Sequence, residues 1–147
     1  MPESSVTNIL LIPSALSTET TLTIGIGDGG NEVGLGDIRD AVKKFVPYGR
    51  ECQCPCNGGL AAESKFDTLV VSAISNRGGY GIEACIAYVT GGHEALHKPQ
   101  HEGIILESAM GAGAMDGIGG RAEQSVNDVG VITHSALINI LCELIRK

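Results

Sequence analysis

No window of this sequence holds about 18 consecutive apolar residues, so nothing in it reads as a bilayer-spanning helix. Basic side chains are scarce: 10 Lys and Arg against 17 Asp and Glu leave a formal net charge of −7. That balance argues against nucleic acid, whose phosphates attract Lys and Arg. The first 17 residues contain Glu3 and no basic residue, which excludes the charged start of a signal peptide and an Arg-rich transit peptide. Cysteine is limited to five residues at uneven spacing, and an odd count does not form a secreted disulfide framework. The expectation is therefore a reducing, intracellular compartment. Tryptophan is absent, and the residue in excess is glycine, with 21 copies, which implies tight turns or close approach of backbone to a ligand.

At 147 residues the chain has the length of one domain and can bury a core without disulfide staples. Residues 1–18 read as a lead-in. Residues 20–26, rich in β-branched side chains, predict a strand ending at Gly27. Asp37 is placed to cap a helix through about Val46, with Ile38, Ala41, Val42 and Phe45 on its apolar face. Residues 47–59 read as a loop or edge strand and 69–74 as a second strand. Residues 75–79 read as a turn, and 80–89 as a helix stopped by Gly91 and Gly92. Pro99 opens another helix through about Met110, residues 111–120 form a flexible loop, and a last helix covers about 133–145. Strand, Gly loop, helix, repeated, is the pattern of an α/β fold: a small, mainly parallel sheet flanked by helices in a single domain. Ligands of such sheets sit beyond the carboxyl ends of the strands, so the Gly-rich segments 25–36 and 75–81 are expected on one edge.

Segment 25–36 carries the chemistry. Its six glycines free the backbone to expose N–H groups, while Asp28, Asn31 and Glu32 supply oxygen ligands. Such oxygens suit Mg²⁺, Mn²⁺ or Ca²⁺, with Asp28 and Glu32 as the metal-ligating pair, or the ammonium end of an amino acid. The plainer reading is a structural turn with solvated acids. Gly25, Gly27 and Gly30 match the dinucleotide pattern G-x-G-x-x-G, but Asp28 would repel the pyrophosphate. The loop is also similar to the Gly-Asp-Gly-x-Asn-Asp metal motif of haloacid-dehalogenase-type phosphatases, yet the nucleophilic Asp-x-Asp of those enzymes occurs nowhere in the chain.

Residues 23–36 more closely resemble the signature of the D-glutamate cyclase C-terminal domain. A second block, Ser75-Asn76-Arg77-Gly78-Gly79-Tyr80, is similar to that family's Ser-Asn-Trp-Gly-Gly-Tyr, with Arg77 at the Trp position. A third comprises residues 113–120, then Ser125-Val126 and His134. The resemblance implies a lyase that converts D-glutamate to 5-oxo-D-proline and water. Asp28, Glu32 and Asp116 become the candidate catalytic carboxylates. Gly29, Gly30, Asn31, Ser75, Asn76, Arg77, Gly78 and Gly79 become the candidate substrate-binding residues. The implied partner is the small molecule D-glutamate, with neither nucleic acid nor membrane, alongside a second copy of the chain or a separate N-terminal domain. The compartment would be the mitochondrial matrix for an animal-type enzyme and the cytoplasm otherwise.

Two other patterns compete for metal. His93-Glu94-Ala95-Leu96-His97 matches H-E-x-x-H, which on a helix aligns two imidazoles for zinc, although Gly91, Gly92 and Pro99 leave room for a short helix only. A metal-dependent hydrolase using this pair, or the Asp28/Glu32 loop, is the second functional class. Cys52-x-Cys54-x-Cys56 offers three soft ligands, and a structural zinc would need Cys85 or a His as a fourth; reduced cysteines on a loop are the plainer reading. A non-catalytic domain that binds a small molecule or cation is the third class.

Overall fold

The computed structural model describes residues 21–146. The expected lead-in, residues 1–18, lies outside them. The fold is α/β, and the chain divides into two compact units, Met1–Ser75 and Asn76–Lys147.

In the first unit, β1 (Ile24–Gly27) pairs in parallel with β2 (Thr68–Val71), in the register Ile24↔Thr68 through Gly27↔Val71. β2 (Thr-Leu-Val-Val) is mostly β-branched, as a pleated, half-buried surface favours, while β1 alternates Ile with Gly. The register is fixed at one end by a reciprocal clamp. The Asp67 carboxylate accepts from the Thr23 N–H at 2.8 Å and the Thr23 hydroxyl at 2.7 Å, and the Asp67 N–H donates back to that hydroxyl at 3.1 Å. These bonds, the hydroxyl foremost, hold the Asp67 carboxyl below its ordinary range. Because the folded value is depressed, the clamp contributes its full stability above that range and is lost as pH falls below it.

Beyond β1 the glycine loop folds over the unit's centre. Leu35 is fully buried and bridges to Lys65, and Gly36 N–H donates to Ser64 C=O at 2.7 Å. Gly30 has φ 87°, and a Cβ there would lie 2.3 Å from Val42 Cγ2. Helix α1 (Arg39–Phe45) follows a 3-10 turn, Gly36–Ile38. Asp37 does not cap the helix as expected: it sits inside that turn and pairs with Lys65 at 2.7 Å. Of the expected apolar face only Val42 is fully buried, and Phe45 is 73% exposed beneath Lys44. Two turns of helix reach the core through one side chain.

The second strand is shorter than the sequence suggests, and the expected turn at 75–79 is the first turn of α2 (Ser75–Thr90). The glycines there misled the reading: in a helix they cost entropy, and a carboxylate at the helix N-terminus offsets that cost. Asp28 supplies it, accepting from the Ser75 N–H at 2.9 Å and the Ser75 hydroxyl at 3.0 Å.

In the second unit, α2 is followed by a 3-10 turn (His93–Ala95), α3 (Pro99–Gly111) and α4 (Val131–Ile145). Pro99 occupies the first turn of α3, where its missing N–H costs nothing. Ala84 and Ala87 of α2 cluster with Leu96 and Ile145 in the core, with Leu141 and Cys142 packed against them. Between α3 and α4 an antiparallel ribbon pairs β3 (Ser125–Val126) with β4 (Val129–Gly130). Its turn residues Asn127 and Asp128 have φ 51° and 60°, the left-handed pair of a tight hairpin. The sequence signal for this hairpin is the Asn-Asp pair between Val126 and Val129.

Two glycine substitutions separate required from incidental flexibility. Gly30→Ala should lower unfolding free energy by about 2 kcal/mol or more in urea titrations, from left-handed strain plus overpacking on Val42. Gly103→Ala, inside α3 with open space around the added methyl, should raise it by about 0.5–1 kcal/mol.

Candidate functional site

Parallel pairing places the carboxyl ends of β1 and β2 on one edge, and Asp28 leaves β1 there. The next three backbone amides converge on a single side chain. Glu32 Oε1 accepts from the N–H groups of Asp28 and Gly29, each at 3.0 Å, and Oε2 accepts from Gly30 N–H at 2.9 Å. Successive amides turned inward make an anion-binding concavity, and here the anion is the loop's own Glu32. Gly27 must be glycine for this to occur: a Cβ would sit 2.7 Å from Glu32 Oε2 and 2.4 Å from a Leu35 methyl. Asn31 is exposed, with its amide oxygen close over Gly29.

The loop therefore divides its two carboxylates between tasks. Glu32 is committed to three N–H donors, so the amides of Gly29 and Gly30, expected to bind substrate, already hold a carboxylate. Asp28 is exposed at the strand edge beside Ser75. Among the described residues these two acids gather with no third His, Cys, Asp or Glu into a metal-sized cluster.

In the second unit, Gly78 and Gly79 lie within α2, where their amides point at carbonyls four residues back rather than at solvent. Asn76 and the half-buried Arg77 both lie near the Tyr80 phenol and act against the rise of its pKa. Arg77 Nε is buried without a protein partner among the described residues, a donor suited to a carboxylate.

Asn76 and Arg77 thus border a buried network that the sequence reading missed. Glu102 of α3 is 3% exposed, accepts from the Tyr80 hydroxyl at 2.6 Å, and meets His97 Nε2 at 3.1 Å. Burial first, and then the Glu102 carboxylate, push the Tyr80 phenol far above its ordinary pKa, so it remains a donor. The His97 ring stacks on Tyr80 at 5.6 Å, and fully buried His134 meets Tyr80 edge-on at 6.1 Å, with both ring nitrogens unpartnered among the described residues. No local signal marked it: an acidic residue in the first turn of a helix is ordinary, and only its distant partners make Glu102 a buried group.

This geometry corrects the H-E-x-x-H reading. His93 and His97 do not share a helix: the 3-10 turn ends at Ala95, and Leu96 is extended with ψ 133°. His93 is exposed, whereas His97 is tied to Glu102 by its ring and to the Glu83 carboxylate by its N–H at 2.7 Å. The two imidazoles are not presented as a zincin pair.

Asp116 is 7% exposed. Its carboxylate accepts from the Ser125 hydroxyl at 2.7 Å and from the N–H groups of Ile118, Gly119 and Asp128 at 2.8, 2.6 and 3.0 Å. Ser125 foremost, then Gly119, hold it well below the usual carboxylate range. A carboxylate so occupied organises its loop and is a weak proton acceptor.

The sulfurs of Cys52, Cys54 and Cys56 all lie within 4.8 Å of one another, an arrangement able to hold a metal ion. Neither Cys85 nor a His completes the set among the described residues. Hydrogen bonds, led by the Cys54 thiol, lower the Cys52 pKa to about 6, while Cys54 is raised because it donates to that sulfur.

The model of the D-glutamate cyclase-like, C-terminal family matches residues 8–142. The chain belongs to that family. A similar curated protein is the human "D-glutamate cyclase, mitochondrial", 35% identical over 65 residues. The match spans 44% of this chain and 9% of the human protein's length. Within the cyclase-like chain no described helix is long and apolar enough to cross a membrane.

Two consequences for this cyclase-like domain are measurable. Asp116→Asn should expose the amides of Ile118, Gly119 and Asp128, raising their hydrogen-exchange rates by roughly tenfold, because an amide side chain cannot accept from every donor. In the wild type the same amides should stay protected until pH falls below the ordinary carboxylate range, since a depressed pKa stabilises the fold above that range and not under it.

Proposed function

We propose that this domain acts as a D-glutamate cyclase-like lyase, forming 5-oxo-D-proline and water from D-glutamate. Family membership across residues 8–142 supports the reaction class, and the observation that carries the assignment of the base is Asp28 at the carboxyl edge of the parallel strands. The substrate's α-amine attacks its own γ-carboxyl carbon, a C–N bond forms, and the C–O bond breaks to release water. The ammonium must first lose a proton, and Asp28 is the exposed carboxylate of the loop that can take it. Ser75, whose hydroxyl and N–H both donate to Asp28, orients that carboxylate. Glu32 holds the loop's shape from within. Holding the substrate bent contributes much of the rate, since it converts flexible chain ends into neighbours.

The occupation of the Gly29 and Gly30 amides by Glu32 favours a second reading, in which the domain binds the amino acid without turning it over.

Incubation with D- and L-glutamate, with and without divalent metal, followed by chiral chromatography of 5-oxoproline, separates the two. The lyase reading expects product from the D enantiomer and a loss of roughly a hundredfold in kcat for Asp28→Asn. Binding of D-glutamate by calorimetry with no product, or unchanged turnover in Asp28→Asn, would remove it.

A further inference from the structure

The segment between α1 and β2 holds a side-chain cluster that the lyase reading does not use. It is a closed loop. Leu60 N–H donates to Tyr48 C=O at 2.9 Å, and Ala61 N–H donates to Gly49 C=O at 3.3 Å, tying its base. Three left-handed residues bend it: Tyr48 at φ 61°, Asn57 at 50° and Gly59 at 80°. Gly59 cannot carry a side chain, because a Cβ would lie 2.5 Å from the Arg50 carbonyl oxygen. The bend brings Cys52 Sγ to 3.4 Å from Cys56 Sγ, and Cys54 Sγ to 2.7 Å from the same atom.

Three converging sulfurs on a pinned loop are a donor set, and its chemistry is selective. Thiolates favour soft or borderline cations over Mg²⁺ and Ca²⁺, which take oxygen. With zinc–sulfur bonds of about 2.3 Å, two sulfurs on one tetrahedral zinc stand about 3.8 Å apart, a spacing this cluster reaches with small movements of side chains. The Asn57 N–H donates to the Cys54 C=O at 3.0 Å, which holds the turn that carries the three sulfurs. Cys54 and Cys56 are exposed and Cys52 half-buried, so one side of the cluster faces solvent.

We propose that Cys52, Cys54 and Cys56 form a three-sulfur zinc(II) site whose fourth position is taken by water or an exogenous ligand. Each thiol gives up its proton on binding, and the metal cross-links the turn of the loop. Three protein ligands and an open position distinguish this site from a closed four-ligand structural zinc.

The test uses the whole chain, reduced and freed of metal. Titration with cobalt(II) should produce sulfur-to-metal charge-transfer absorption at one equivalent, and zinc should displace it. Competition against a chromophoric chelator should show Cys56→Ser weakening zinc by roughly a hundredfold or more, since even outer-shell changes cost tenfold to a hundredfold. Cys85→Ser should bind as wild type does. In the unmutated protein, zinc should protect Cys52, Cys54 and Cys56 from alkylation while leaving Cys85 reactive, as read by peptide mass spectrometry. The proposal is overturned by fully reduced protein that gives no charge-transfer band. It is equally overturned by zinc affinity that survives replacement of all three cysteines, or by a Cys54–Cys56 disulfide that persists in excess reductant.

Discussion

One carboxylate holds the glycine loop in the shape on which the candidate site depends. Glu32 turns back and satisfies the amides of Asp28, Gly29 and Gly30 together. Those N–H groups emerge at the end of a parallel strand, and leaving them unpaired would carry a desolvation cost. Gly27 has no side chain because the carboxylate occupies the space, and Gly30 takes a left-handed conformation against Val42. The loop is therefore rigid rather than merely flexible, despite its glycine content. With Glu32 spent internally, Asp28 is the acid left at the strand edge, and its pairing with Ser75 starts α2.

The second unit repeats the same economy of carboxylates. Asp116 is enclosed by donors and shapes the segment leading to the β3–β4 hairpin. Glu102 is buried between the Tyr80 hydroxyl and His97. In both cases the acid is fixed by hydrogen bonds that favour or tolerate its position away from water, and neither is presented as an exposed base. Arg77 differs: its Nε is buried and unmatched among the described residues, a donor suited to a carboxylate.

Local pattern revealed much of this organisation. The parallel strands, the Pro99 helix start, the last helix and the placement of the first glycine loop after β1 were all legible, because periodicity and turn chemistry act over a few residues. The family was legible too, in three glycine-bearing blocks. What the sequence hid depends on contacts between distant positions. Ser75 to Gly79 read as a turn because their glycines suggest one; the Asp28 carboxylate, 47 residues earlier, makes them helix. His93 and His97 looked like a metal pair because the spacing is right for a helix, and Leu96 is extended instead. The buried partnership of Tyr80 and Glu102 spans 22 residues and has no local signature. Residue type identified the acids, and only hydrogen-bond partners could sort them into structural and exposed.

Amide hydrogen exchange in Glu32→Gln measures the loop's dependence on its internal anion. A neutral amide offers one acceptor oxygen in place of two. The amides of Asp28, Gly29 and Gly30 should exchange faster by roughly tenfold, while the ladder amide of Ser72 keeps its protection. Unchanged exchange at all three loop amides in a folded Glu32→Gln protein would contradict the account.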